Sequence, residues 1–146
     1  MAIQMNQAFK NEVLFTRGII DLLYYGVIRV YSGTQPVNPN DAPTGTQLGQ
    51  ITTDGNAWTP GQSAGGLRLS PVPGYSLISK PQIDPWVLSV SSSGTAGWWR
   101  FIADANTSAW IDGAVTGPFI ELFLGDPVLT ALEQRQIEFF QIGFYW

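Results

Sequence analysis

Few side chains in this 146-residue chain can do catalytic or metal chemistry. It contains no histidine and no cysteine. That excludes the usual Ser–His and Cys–His nucleophile–base pairs, thiolate zinc sites and any disulfide framework. Carboxylates remain. Asp84, Asp104, Asp112, Glu121 and Glu138 are the candidates for a glycosidase-type acid–base pair, but nothing in their spacing joins two of them across a cleft. Asp54 and Asp112 each precede a glycine and read as turn residues. The stretch Asp-Ala-Asn-Thr-Ser-Ala-Trp-Ile-Asp-Gly at 104–113 resembles a calcium loop only loosely, lacking the alternating acids and terminal glutamate of an EF-hand. Ser63-Ala64-Gly65-Gly66 lacks the lysine and following helix of a phosphate-binding loop. The sequence therefore predicts no enzyme, no cofactor and no metal.

Aromatic side chains are the richer resource: six Trp, five Tyr and eight Phe, with only 12% charged residues against a typical ~25%. A small domain so composed should leave apolar surface for a partner to cover. Trp58, Trp86 and Trp110 lie near turn signals and could form sugar-stacking platforms, the reading of a carbohydrate-binding adhesion module. The alternative, that they cap the ends of a β-sandwich, is favoured. Net charge is −4, from seven basic and eleven acidic residues without a run of either sign, so there is no basic footprint for nucleic acid. No segment reaches the ~18 apolar residues of a membrane span, and the N-terminus lacks the basic and apolar regions of a signal peptide.

The elements that must position these residues read as one helix followed by strands. Phe9, Val13, Thr16, Ile20 and Leu23 recur at helical spacing. This predicts a helix over 6–25 with Asn6 as N-cap and Gly26 as stop, and close packing at Gly18. Lys10, Glu12, Arg17 and Asp21 lie on its other face. Beyond Gly26, seven to nine short β-like runs are separated by turn signals such as Asp54-Gly55 and Asp112-Gly113. The expected fold is mainly β, a single domain over 1–146 with the helix followed by a β-sandwich or jelly roll over 27–146. Residues 32–46 and 56–66 read as loops, the first as surface structure used for contact.

Adjacent indoles at Trp98 and Trp99 must point to opposite faces of a strand. Trp99, Phe101 and Ala103 form one face, the natural core face. Trp98, Arg100 and Ile102 form the other. The 118–125 stretch splits likewise, with Ile120, Leu122 and Leu124 inward and Phe119, Glu121 and Phe123 outward. Faces with one charge between large apolar residues suit a partner. The candidate interface is therefore Trp98, Arg100, Ile102, Phe119, Glu121 and Phe123, joined by the terminal Phe144, Tyr145 and Trp146. If the two strands are neighbours, Arg100 pairs with Glu121 beneath Trp98. The bland alternative is that this domain's own helix or loops cover Trp98.

The order of motifs carries a resemblance. An amphipathic helix leads into Arg29-Val30-Tyr31-Ser32-Gly33, then Gly45-Thr46-Gln47-Leu48-Gly49-Gln50-Ile51, then Gly94-Thr95-Ala96-Gly97-Trp98, then Ile111-Asp112-Gly113-Ala114-Val115. This resembles small virion structural proteins of tailed bacteriophages and prophages over most of residues 7–125. Trp99 stands where that pattern has Phe, and the chain's end is more aromatic than the pattern. The resemblance implies a non-enzymatic particle component. Head decoration or cement, as a minor capsid protein, is expected first; a neck, collar or tail part comes second. It also implies other virion proteins as partners, a homo-oligomer, no nucleic acid, no membrane, and a location in the virion after synthesis in the bacterial host cytoplasm.

Overall fold

Asn6 does two jobs at the start of the chain. Its side-chain oxygen accepts from Phe9 N at 3.0 Å, capping α1 (Gln7–Phe15), and from Trp110 N at 3.1 Å. A cap to α1 is thus also a clamp to a strand. Residues 3–115 and 121–143 are described by this computed structural model; Phe119, Phe144, Tyr145 and Trp146 lie outside them.

The helix expected over 6–25 is two short ones. Thr16 N and Arg17 N both return to Glu12 O at 2.9 Å. Gly18 is extended (φ −77°, ψ 165°) and opens α2 (Ile19–Leu23). Gly18 has open space around it, so close packing does not explain it. Glycine's poor helix propensity, ~1 kcal/mol worse than alanine, ends the helix there. The break rotates α2 so that Leu22 and Leu23 are both buried, whereas Thr16 on the expected stripe is exposed.

The rest is antiparallel β-structure in two sheets. The larger runs β1 (Gln4–Met5), β8 (Trp110–Ala114), β7 (Gly94–Ile102), β2 (Val27–Ser32), β3 (Gln47–Thr53), β6 (Trp86–Val90) and β11 (Gln134–Ile137), with β10 (Val128–Leu129) paired to the start of β7. The smaller runs β4 (Ser70–Val72), β5 (Leu77–Ser79), β12 (Phe139–Gly143) and β9 (Leu122–Phe123). The chain is a β-sandwich-like domain preceded by helix, as its pattern of short strands predicts.

Phe140 of the smaller sheet is the centre of the core. Its ring lies 5.5 Å from Trp86, 5.4 Å from Trp99 and 5.7 Å from Phe101, all on the larger sheet. Tilted and edge-on ring pairs of this kind add to area burial. Trp99 and Phe101 are inward as expected, with Ile28, Ile51, Leu88 and Ile111 beside them. Asp54 (φ 57°) and Gly55 (φ 71°) form the expected turn, closed by Asn56 N to Thr53 O at 3.0 Å. Asp112 and Gly113, read as a turn, instead lie inside β8.

Candidate functional site

The outer face of the larger sheet carries the residues singled out in sequence. Register places one polar side chain from each strand in a single row: Gln4, Asp112, Arg100, Arg29, Gln50, Ser89 and Gln134. At its centre Arg100 grips Asp112 with both arms, Nε to Oδ1 at 2.7 Å and Nη2 to Oδ2 at 2.8 Å. The guanidinium carbon sits 4.3 Å from the Trp110 ring centroid and 5.4 Å from that of Trp98. Tyr31 stacks on Trp98 at 4.5 Å with the planes 15° apart.

Residues 33–46 fold over this cluster and are tied down by its donors. Trp110 Nε1 donates to Pro39 O at 2.8 Å, Arg100 Nη2 to Asp41 O at 3.2 Å, and Trp98 Nε1 to Thr44 O at 3.3 Å. Trp98 is 0% exposed, Arg100 2% and Asp112 0%. Burial pushes the Asp112 carboxyl up, and the Arg100 hydrogen bonds oppose it. Burial likewise raises the Tyr31 phenol.

This arrangement corrects the expected interface. Trp98 and Arg100 are covered by the chain's own loop, and Ile102 is buried too, so none of the three offers a face to a partner. Arg100 pairs with Asp112 and not with Glu121, because β8 flanks β7 whereas the segment from Glu121 onward enters the smaller sheet. Glu121 is half-buried, and burial raises its carboxyl. Of the candidates, Phe123 is exposed as its outward reading expects, and it is paired across β9 and β12 with Phe139, which the sequence reading did not name. Residues 33–46 cover the cluster with one side and keep the other in water, where Val37 is 93% exposed.

Of the other carboxylate candidates, two are engaged structurally. Asp84 is buried under Arg68, and Asp104 accepts from Gly61 N at 2.7 Å. Glu138 is exposed. Trp86 lies in the core, while Trp58 and Trp110 are half-buried, with Trp58 Nε1 donating to Tyr25 O at 2.7 Å. No exposed three-indole platform exists among the described residues. Nor does any group of three or more potential metal ligands.

Among the described residues, large apolar side chains stand in water at Leu14 and Phe15 at the end of α1, Val37, Tyr75, Ile83, the Phe123–Phe139 pair, Val128 and Leu132. The sequence reading missed Leu14, Phe15 and Phe139. The signal for the first two was present, since both fall off the Phe9–Val13 stripe onto the face read as polar.

Comparison of the chain with protein-family models, curated proteins and solved structures finds no match. No helix among the described residues is long and apolar enough to cross a membrane.

Proposed function

We propose that this chain is a non-enzymatic structural component of a tailed-bacteriophage particle, serving as head decoration or cement that bridges neighbouring capsid proteins. One observation carries the reading. The four motif segments behind the phage resemblance lie far apart in sequence but build four adjacent strands, β3, β2, β7 and β8. Tyr31 of the first segment stacks on Trp98 of the third. A Cβ on Gly97 would overlap Gly33 O, and one on Gly113 would overlap the Trp99 ring. Asp112 of the last segment holds Arg100. The motif segments thus build one interlocked structural unit, and a unit held by close backbone approach and a buried ion pair suits a protein whose task is to hold its shape. Exposed apolar side chains at several separate places suit contacts with more than one neighbour.

The test is to purify particles of the encoding phage and ask by mass spectrometry and labelled electron microscopy whether and where the chain resides. Many copies over the head are expected. Labelling confined to the neck or tail would make it a connector or tail part, and absence from intact particles would overturn the reading altogether.

A further inference from the structure

The corner between the two helices carries a knob and a groove side by side. The knob is Leu14 and Phe15, 73% and 81% exposed. Phe15 is therefore not inserted in the adjacent groove of its own chain. The groove holds about 700 Å³ and is lined by Gly18, Ile19, Ile20, Asp21, Tyr24 and Ile78. The groove opens widely to solvent, and a volume in that range leaves room for apolar side chains from outside. Apolar side chains make up most of its wall, with Asp21 as its one charge.

Charge is complementary across the two features. Among the described residues Lys10 is exposed and has no acidic partner. Arg17, Arg68, Arg100 and Arg135 are ion-paired, Lys80 is buried and Arg29 half-buried. Lys10 shares the knob's face of α1, four residues before Leu14, where side chains are neighbours. The Asp21 side chain at the groove makes a loose 3.7 Å pair with Arg17 and is still 71% exposed, so it has room for a second cation. An apolar knob with one cation faces, on an identical chain, an apolar groove with one anion. Knob and groove are separated only by the turn at residues 16–18, so a two-fold axis beside that turn would let each chain's knob meet the other's groove. This is the geometry of a self-complementary, closed contact.

We infer that a second copy of this chain occupies the groove. In this symmetric dimer, Leu14 and Phe15 of each chain fill the other's Ile19–Ile20–Tyr24–Ile78 groove, and Lys10 reaches the partner's Asp21. The inference does not depend on the virion reading, since it is tested on the isolated full chain.

Sedimentation velocity over a wide concentration range reads it directly. The unmodified chain should dimerise. Phe15→Asp and Lys10→Glu should each weaken the dimer by about tenfold or more, the scale of losing a buried anchor or a charge pair. Far-ultraviolet circular dichroism should be unchanged, because both side chains are exposed. Lys10→Glu combined with Asp21→Lys should restore the dimer that each change alone weakens. A chain monomeric at every concentration overturns the inference, as does a dimer indifferent to Phe15→Asp or a charge swap that fails to rescue. A groove that takes up a small apolar dye in a monomer with no competing self-association overturns it too.

Discussion

Replacing Arg100 by Met tests the clasp on the outer face. The substitution keeps a long apolar stem but removes the guanidinium. Asp112, 0% exposed, is left as a buried carboxylate whose two oxygens have lost the contacts at 2.7 and 2.8 Å. Removing one partner of a buried pair costs ~3–5 kcal/mol, because the other charge is left uncompensated. The lost bond to Asp41 O adds to this and loosens residues 33–46. A domain of this size is stable by only ~5–15 kcal/mol, so the loss is a large share. It should lower the melting temperature by roughly 6–20 °C. Guanidinium titration with tryptophan fluorescence measures it. Arg100→Met with Asp112→Leu should recover most of the loss, since an apolar pair of similar volume is often neutral against a buried ion pair. A single-variant cost below ~1 kcal/mol would mean that water reaches Asp112 and the clasp is not closed. A double variant no better than the single one would show that Arg100 acts through the loop and the indoles, not through Asp112.

Trp98→Ala and Trp99→Ala should destabilise alike, by ~3–5 kcal/mol as for large buried rings, and thermal melting of both decides whether the loop covers Trp98 as fully as the structure has it. Leu132 adopts φ 72° with 91% of its surface exposed. The left-handed conformation costs an L-residue ~1–2 kcal/mol, while glycine adds ~0.5–1 kcal/mol of unfolded-state entropy, so Leu132→Gly should be neutral or stabilising by about 1 kcal/mol in urea titration. A loss larger than that would place Leu132 in an unseen contact. Burial lowers the Lys80 ammonium below its ordinary 10.5, against the pull of Asp84 and Glu138. Between the folded value and 10.5 the unfolded chain holds a proton that the folded chain has shed, so stability should rise with pH there. Lys80→Met should flatten that rise relative to the unmodified chain, and identical pH profiles would refute the burial argument.

The fold was legible wherever a local signal decided it. Period-two alternation placed Trp99 and Phe101 inward, and Asp54-Gly55 named its own turn, because both depend only on neighbours in sequence. The long helix failed at Gly18 because periodicity ignores the cost of glycine, which here falls just after the stripe has been weakened by the polar Thr16. The reading of Asp112 failed for the opposite reason. Asp-Gly is a strong turn signal, yet β8 runs through it. Asp112 is needed opposite Arg100, and only a residue without a side chain fits at 113 against the Trp99 ring. Tertiary demand overrode local propensity at both positions.

The interface expectation failed more instructively. A strand face with an arginine between large apolar residues does need a cover, and that inference was sound. What the sequence could not say was who provides it. Residues 33–46 do so by offering carbonyl oxygens at Pro39, Asp41 and Thr44 to the cluster's N–H donors, and backbone carbonyls carry no residue-specific signal. The prolines and asparagines that mark the segment as irregular also make it able to lie flat over the sheet without a ladder of its own. Burial of Trp98 therefore moves the search for partners to side chains that no part of this chain covers. Some lie in connections between strands, such as Val37 and Ile83, and others where helix or strand ends abruptly: Phe15 before the turn at Gly18, Phe123 at the end of the two-residue β9, and Leu132 at a turn before β11. An apolar side chain at such an end has no continuing element to shelter it, so only another molecule can remove it from water.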